Sequence, residues 1–350
     1  MTFFRPSFRH PQLPANQAGY YLRDYEGGIS TLCAGCGHDS INGAIIQACY
    51  ELSLEPHRIV KLSGIGCSSK SPAYLLSAAH GFNSVHGRMP SIVTGANMAN
   101  RELLYLGISG DGDTASIGMG QFVHAVRRNL NMVYIVMNNG CYGLTKGQYS
   151  ATADKGSVGK KGEPNLLESI DLCEIAIQLG AGFVGRSFSG DKQQLVPLLK
   201  AAMSHIGMAF IDVISPCVTF NNTPTSTKSY HWVREHSEAT STFDFVPFRQ
   251  EITTDYENGS TEAVTLHDHS VIYLHKKDPE VAVTDRRQAV DALEEHKEEG
   301  LILTGVLYVD PESEDTHTIL NTSERPLNSL EQAELCPGSA ALKEINEELR

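Results

Sequence analysis

Along the chain, short apolar runs alternate with stretches whose apolar residues recur every three or four positions. Ile41, Ala44, Ile45, Ala48 and Leu52 share one helical face, with Asp39 or Ser40 as the expected N-cap. Residues 57–62 read as a short strand that runs into the loop SGIGCSSKSP. Residues 103–108 are nearly all apolar, as in a parallel strand buried on both faces, and they end in SGDGD. A helix is expected over 117–129, then a second apolar strand over 132–137 that ends in NNGCYG. Residues 103–139 therefore predict a β-loop-α-β unit. Further on, 169–180 and 191–206 have helical spacing, while 182–188 and 208–214 read as strands. Strands alternating with helices predict an α/β fold built on a doubly wound parallel sheet.

The edges of the pattern set the expected domains. Residues 1–30 form an arm rich in Pro, Arg and aromatics, and 31–230 carry the α/β pattern. Residues 150–164 are rich in Gly and Lys and read as a mobile loop. Residues 231–350 form an extension with one helical stretch (286–299) and one strand (301–309) between polar linkers. Charge follows the same division. The whole chain carries −13, but residues 251–350 alone carry −15, which leaves +2 on the first 250. The C-terminal part is thus expected to be a solvated acidic extension. Nucleic acid is excluded as a partner, since phosphate binding needs a basic surface. No apolar run approaches the roughly 18 residues of a membrane span. The N-terminus MTFFRPSFRHPQLP has no apolar secretory core, so a cytoplasmic location is expected.

Two groups of residues carry candidate chemistry. Asp111 and Asn139 stand 28 positions apart at the exits of consecutive strands. Ligands of open α/β sheets bind at those strand ends, and a carboxylate with an amide oxygen makes a hard oxygen site suited to Mg²⁺. Gly110 and Gly112 let the backbone approach a phosphate, and the helix N-terminus behind them favours an anion. GDGD by itself would equally suit a plain glycine-rich turn, but the NN after the next strand favours the site. The second group is cysteine. Of eight, Cys33 and Cys36 form a C-x-x-C before a helix, and Cys67 and Cys217 lie on loops after strands. These four could ligate a [4Fe–4S] cluster or Zn²⁺, or Cys33 and Cys36 could form a redox dithiol. Cys49 and Cys173 are expected in the core and Cys336 in the tail. His38, His86, Lys70 and Lys146 follow or flank the same loops. Each has the ordinary alternative of a structural histidine or a solvated lysine.

The motifs resemble one family in particular. GDGDTASIG followed by NNGCYGLTKGQ, together with CAGCGH (33–38), GIGCSS (64–69) and SPC (215–217), is similar to the β subunits of 2-oxoacid:ferredoxin oxidoreductases over roughly residues 20–230. The resemblance implies a sheet of the thiamine-diphosphate-binding module type. It implies that Asp111, Asn139 and the carbonyl of Cys141 hold Mg²⁺, and that Cys33, Cys36, Cys67 and Cys217 hold one [4Fe–4S] cluster. Thiamine diphosphate would meet Gly35, His38, Ile65, Gly66, Ser68, Gly110, Asp111, Gly112, Asp113, Asn139, Tyr142, Gly143, Leu144 and Thr145. His38 and His86 would assist by contact or proton transfer, and Lys70 and Lys146 would receive substrate carboxylates. The glutamate that the cofactor's aminopyrimidine needs is expected from an α subunit, in an αβ or α₂β₂ assembly. The implied reaction is the oxidative decarboxylation of a 2-oxo acid. Coenzyme A takes the acyl group, and electrons pass through the cluster to ferredoxin, which would dock on residues 1–250. The length, the acidic extension and Lys146 beside Leu144 favour 2-oxoglutarate. Two rivals remain at this point: a non-oxidative thiamine-diphosphate enzyme with zinc, and a non-catalytic metal-binding scaffold.

Overall fold

In chain order the strands are β1 (Ile59–Ser63), β2 (His80–Asn83), β3 (Leu104–Gly110), β4 (Met132–Asn138), β5 (Cys141–Tyr142) and β6 (Gln148–Tyr149). After them come β7 (Phe183–Phe188), β8 (Met208–Ile214), β9 (Thr261–Thr265), β10 (Val271–Lys276) and β11 (Ile302–Val309). The longer helices are α1 (Gly37–Glu51), α2 (Met89–Ala99), α3 (Met119–Arg128), α4 (Leu172–Leu179), α5 (Lys192–Ser204), α6 (Arg286–Glu298) and α7 (Gly338–Glu348). These come from a computed structural model that describes residues 14–157, 163–215, 217, 252–265, 271–277, 283–336 and 338–350. Nine strands form one sheet in the order β2-β1-β3-β4-β8-β7-β11-β10-β9, and β5 and β6 form a separate ribbon. The first six in that order are mutually parallel.

Helices cover both faces, as the doubly wound pattern requires. Alternation along β4 shows how the sequence divides its apolar residues. Met132, Tyr134 and Val136 enter the core under α2, α3, α4 and α6, whereas Val133, Ile135 and Met137 enter the core under α1 and α5. Successive side chains of a strand point to opposite faces, so a strand with no polar position belongs in the middle of such a sheet. All seven residues of β4 and of β8 are buried. Fully burying each large apolar side chain contributes about 1.5–3 kcal/mol, which fixes the strand register firmly.

Several expectations shift. α1 begins at Gly37 with Cys36 in the N-cap position, earlier than the Asp39 or Ser40 cap read from the pattern. Polar His38 and Asn42 are buried within this helix, so its inward face is wider than its apolar stripe. β1 starts two residues late, because Pro56–Arg58 forms a 3₁₀ turn with Pro at its first position. The helix expected from 117 is α3, preceded by a π-helical turn over Gly112–Ile117. The edge strand β2 and the strand β9 carry too little apolar pattern to be read from sequence, and the apolar run of β10 (VIYL) is too short to stand out between its polar linkers. β2 is exposed at all four positions.

The largest difference concerns the acidic extension. It is not a separate tail: β11 pairs antiparallel with β7, β10 parallel with β11 and β9 antiparallel with β10, extending the central sheet by three strands. Lys276 of β10 is buried and paired with Asp191 at the N-cap of α5, 2.7 Å away. The acidic surplus sits on outer faces, where α6 and α7 are mostly exposed. The expected boundary near residue 230 lies outside the described residues, as do residues 1–13 of the arm and residues 158–162 of the expected mobile loop. Among the described residues no helix is long and apolar enough to cross a membrane.

Candidate active site

Parallel strands leave the sheet at one edge, and this places the motifs together. β2, β1, β3, β4 and β8 are consecutive neighbours. The loops after them carry, in that order, His86, Cys67, Asp111, Asn139 and Cys217. From β1 the chain passes to β2 on one side and to β3 on the other, so the strand order reverses there. Such a reversal opens a crevice at the carboxyl ends of the strands. A cavity fills it, lined by His38, Ile65–Ser68, His86, Gly110–Asp113, Met137, Asn139 and Cys141–Thr145. Every residue expected to meet the cofactor lines this cavity except Gly35. That glycine has φ +80° and shapes the Cys33–Cys36 turn, in which the Cys36 N–H donates to the Cys33 carbonyl at 3.1 Å.

The floor of the cavity has no room for larger residues. A Cβ on Gly112 would lie 2.6 Å from the Tyr142 ring, and one on Gly110 would lie 3.0 Å from Ser68 Oγ. Tyr142 donates its hydroxyl proton to the Gly112 carbonyl at 2.9 Å, tying the β5 turn to the GDG loop. Asp111 is 1% exposed. Its Oδ1 accepts the Asn139 N–H at 3.2 Å and its Oδ2 accepts from Thr152 Oγ1 at 2.8 Å. Burial pushes the Asp111 carboxyl above the usual range, while bonds from Ser150, Thr152 and the Asn139 N–H pull it back. Asn139 Oδ1 accepts from the Cys141 N–H at 3.1 Å. The side chains expected to hold Mg²⁺ are therefore adjacent, buried and held by backbone donors. Their oxygen chemistry fits a hard cation.

Asp113, the second acid of GDGD, is occupied elsewhere. It accepts from the Gly87 N–H at 2.9 Å and Ser109 Oγ at 3.1 Å, and its Oδ1 lies 2.6 Å from His86 Nδ1. A Cβ on Gly64 would stand 1.9 Å from its Oδ2, so the GIG loop closes directly over it. His38 is 1% exposed, and its Nδ1 lies 2.6 Å from Ser215 Oγ. Burial lowers its pKa to about 4, so the ring is neutral near pH 7.

The four loop cysteines lie close enough to influence one another electrically. Burial pushes the Cys36 thiol up to about 12, with Cys217 and Cys33 adding to the rise. Cys67 is raised by burial and by Cys217 and Cys33, with Lys70 opposing. Among the described residues no three His, Cys, Asp or Glu side chains gather tightly enough to hold a single ion. A four-iron cluster takes one thiolate per iron and so spreads its ligands more widely. Cys36 and Cys67 each lie within electrostatic reach of Cys217 and Cys33, a grouping of four sulfurs that suits the donor set of such a cluster. Cys49 and Cys173 are buried and Cys336 is exposed, as expected.

The two lysines do not meet on the cavity wall. Lys146 is exposed with φ +79°, and Lys70 is half-buried in a 3₁₀ turn that faces a neighbouring cavity with Lys61 and Asn83. Leu144 and Thr145 do line the cavity. The segment expected to be mobile from 150 is, as far as residue 157, packed against the site: Ser150, Thr152 and Ser157 are buried. Its glycines and lysine misled the pattern, because side-chain bonds to Asp111 leave no periodic trace. Sequence reasoning also missed Ser215 as the partner of His38. Its place in SPC, two before Cys217, was the only signal.

The parallel sheet, with an oxygen pair and close-packed glycines at its carboxyl edge, has the architecture of a thiamine-diphosphate-binding domain. Residues 64–213 match the family described as thiamine pyrophosphate enzyme, C-terminal TPP binding domain. The chain is 42% identical over 200 residues to the 2-oxoacid:ferredoxin oxidoreductase subunit beta of Saccharolobus solfataricus, a match that takes in 57% of this chain and 65% of that one. It is 41% identical over 191 residues to the 2-oxoglutarate oxidoreductase subunit KorB of Mycobacterium tuberculosis, covering 54% and 51%. With the 2-oxoglutarate synthase subunit KorB of Methanocaldococcus jannaschii it shares 36% over 189 residues, covering 54% and 69%. The first two matches span less than two thirds of those relatives. Among solved structures it is similar to the 2-oxoglutarate:ferredoxin oxidoreductase from Magnetococcus marinus with 2-oxoglutarate, coenzyme A and succinyl-CoA bound. There the TM-score is 0.69 at 25% identity, covering 92% of this chain and 95% of that one. The chain belongs to the β-subunit family of the 2-oxoacid:ferredoxin oxidoreductases.

Proposed function

We propose that this chain is the cofactor-bearing half of a coenzyme-A-dependent 2-oxoglutarate:ferredoxin oxidoreductase. The observation that carries the reading is the shared cavity, where the Asp111–Asn139 oxygen pair and the loop of Cys67 line the same crevice. Thiamine diphosphate, when bound, supplies the nucleophile for the keto carbon and the sink for the electrons left by CO₂, and a [4Fe–4S] cluster supplies one-electron steps to ferredoxin. The net change is 2-oxoglutarate, coenzyme A and two oxidised ferredoxins to succinyl-CoA, CO₂, a proton and two reduced ferredoxins.

The chain's own residues would bind, orient and exclude water. Asp111 and Asn139 side-chain oxygens and the Cys141 carbonyl would hold Mg²⁺, and the backbone at Gly110 and Gly112 would carry the diphosphate. Cys33, Cys36, Cys67 and Cys217 would hold the cluster. His38 is neutral with Nδ1 committed to Ser215, which leaves Nε2 for the cofactor. Lys70 would take the carboxylate beside the reacting carbonyl and Lys146 the distal one, with Leu144 as an apolar wall. That role needs Lys146 to swing inward from its exposed position and Lys70 to turn from the neighbouring cavity that it faces. His86 would exchange protons with Asp113. No glutamate lines the cavity among the described residues, so the aminopyrimidine partner would come from an α subunit.

The test is the co-purified α/β complex, assayed for iron, zinc and turnover of 2-oxoglutarate, pyruvate and branched-chain 2-oxo acids with an artificial electron acceptor. Iron near four per β chain and 2-oxoglutarate as the best substrate are expected. A colourless, zinc-loaded complex would refute the redox reading, and full turnover by the isolated chain would refute the need for the α subunit.

A further inference from the structure

We infer that Thr152 is a positioning residue for Asp111, seated beside a buried polar group formed by Asn138, Asp212 and Arg186. This rests on the Mg²⁺ role proposed for Asp111. The polar atoms lie within contact distance of one another. Thr152 Oγ1 lies 2.8 Å from Asp111 Oδ2, 3.0 Å from Asn138 Oδ1 and 2.9 Å from Ser150 Oγ. Asn138 Nδ2 lies 3.4 Å from Asp212 Oδ2, which also accepts from Arg186 Nε at 3.1 Å. Arg186 Nη2 donates to Asp171 Oδ1 at 2.6 Å, and Asp171 caps α4. All of these except Asp171 are 9% exposed or less.

Donor logic fixes the direction of each bond. Asp212 only accepts when ionised, so the Asn138 amide turns its nitrogen to Asp212 and its oxygen to Thr152. Thr152 has one proton and two acceptors, Asn138 Oδ1 and the Asp111 carboxylate. The charged acceptor takes it, because charge-assisted bonds are roughly twice as strong. Asn138 Oδ1 is served instead by the Gly140 N–H at 3.3 Å. Ser150, whose hydroxyl also bonds Asp111, accepts the Thr152 N–H at 3.2 Å. Asp111 is thereby held at both oxygens, Oδ2 by Thr152 and Oδ1 by the Asn139 N–H, and cannot rotate without losing both bonds. Asn138, Arg186 and Asp212 sit on β4, β7 and β8, the rigid centre of the sheet, while Asp111 follows β3 and Thr152 lies on a loop packed beside them. Ordering a metal ligand through a bonded partner of this kind raises affinity, because the carboxylate pays no rotational cost when the cation arrives.

The test is Thr152→Val, which keeps the side-chain shape and removes the proton, in the assembled α/β complex. Mg²⁺ is titrated by calorimetry at fixed thiamine diphosphate. Mg²⁺ affinity should fall roughly 10- to 100-fold, Thr152→Ser should restore it, and thiamine-diphosphate affinity at saturating Mg²⁺ should stay unchanged. Should the valine variant not assemble, Thr152→Ala is read in the same way. Wild-type Mg²⁺ affinity in the hydroxyl-free variant would overturn the proposal. An Asp111→Ala control separates the two ideas: if it too binds Mg²⁺ like wild type, the metal site itself has been misplaced.

Discussion

Two glycines near the start of α3 should respond to alanine in opposite ways. Gly118 has φ −98° and ψ 6°, a conformation open to any residue, so backbone strain is not at issue. Space is. A Cβ there would stand 2.7 Å from the Asp113 carbonyl oxygen and 2.9 Å from both Cα and O of Gly87. Carbon atoms in contact prefer about 3.5–4.0 Å, and both obstacles are backbone, so neither can swing aside. Relief requires moving the 86–87 turn, which is pinned by the Gly87 N–H to Asp113 and by His86 to Asp113. Overpacking of this kind costs about 1–3 kcal/mol, and alanine is also a poorer N-cap than glycine, so Gly118→Ala should cost about 2–4 kcal/mol. Because Asp113 and His86 are displaced with it, cofactor affinity should fall as well. Gly120 is two residues on, and a Cβ there meets nothing within 4 Å. Gly120→Ala should stabilise by up to about 0.5–1 kcal/mol through helix propensity. Urea denaturation of both variants, followed by circular dichroism, is the assay, with thiamine-diphosphate titration beside it. If Gly118→Ala is as stable as wild type, the close approach of the two loops is wrong. If Gly120→Ala is equally harmful, the loss comes from helix position and not from the clash.

Other expectations follow from the same structure. Arg186→Met should destabilise the fold by about 3–5 kcal/mol, since it strands Asp171 and Asp212 in the interior. Without the guanidinium, burial would raise the Asp171 carboxyl from its lowered value and raise Asp212, already above its ordinary range, further, so in the variant stability is lost as pH rises and the deficit should be smaller near pH 5 than near pH 8. A deficit independent of pH would show that packing, not charge, is lost. Cys217→Ser should reduce bound iron in the anaerobically purified complex while exposed Cys336→Ser leaves it intact, and equal iron in both would remove Cys217 from the ligand set. Lys146→Ala should lower kcat/KM for 2-oxoglutarate about ten- to a hundredfold while sparing pyruvate, and Lys70→Ala should lower both. The ratio between substrates cancels any uniform effect of replacing a residue at φ +79°. An unchanged ratio for Lys146→Ala would mean that the lysine does not read the distal carboxylate.

The parallel core was legible from the chain alone because its strands are apolar at every position and its helices repeat at 3.6. β4 and β8 match the segments read from sequence to within a residue. The site was legible because parallel topology sends every strand's carboxyl end to one edge, so motifs far apart in sequence had to converge. What the pattern could not carry was anything decided by pairing at a distance. β9 and β2 look polar because they are short or exposed on one face, and β10 is a brief apolar run between polar linkers, yet three strands of the acidic segment join the sheet through backbone bonds that any residue can make. Thr152 sits among glycines and lysines, and only the tertiary structure sets its hydroxyl on Asp111. Lys70 and Lys146 show the reverse. Their closeness to motifs in sequence suggested a common wall, but the 3₁₀ turn at Lys70 and the left-handed backbone at Lys146 point them elsewhere. Periodicity records which face of an element is buried. It does not record which polar atom a buried side chain meets, because one hydrogen bond is satisfied by one partner and leaves no repeat behind.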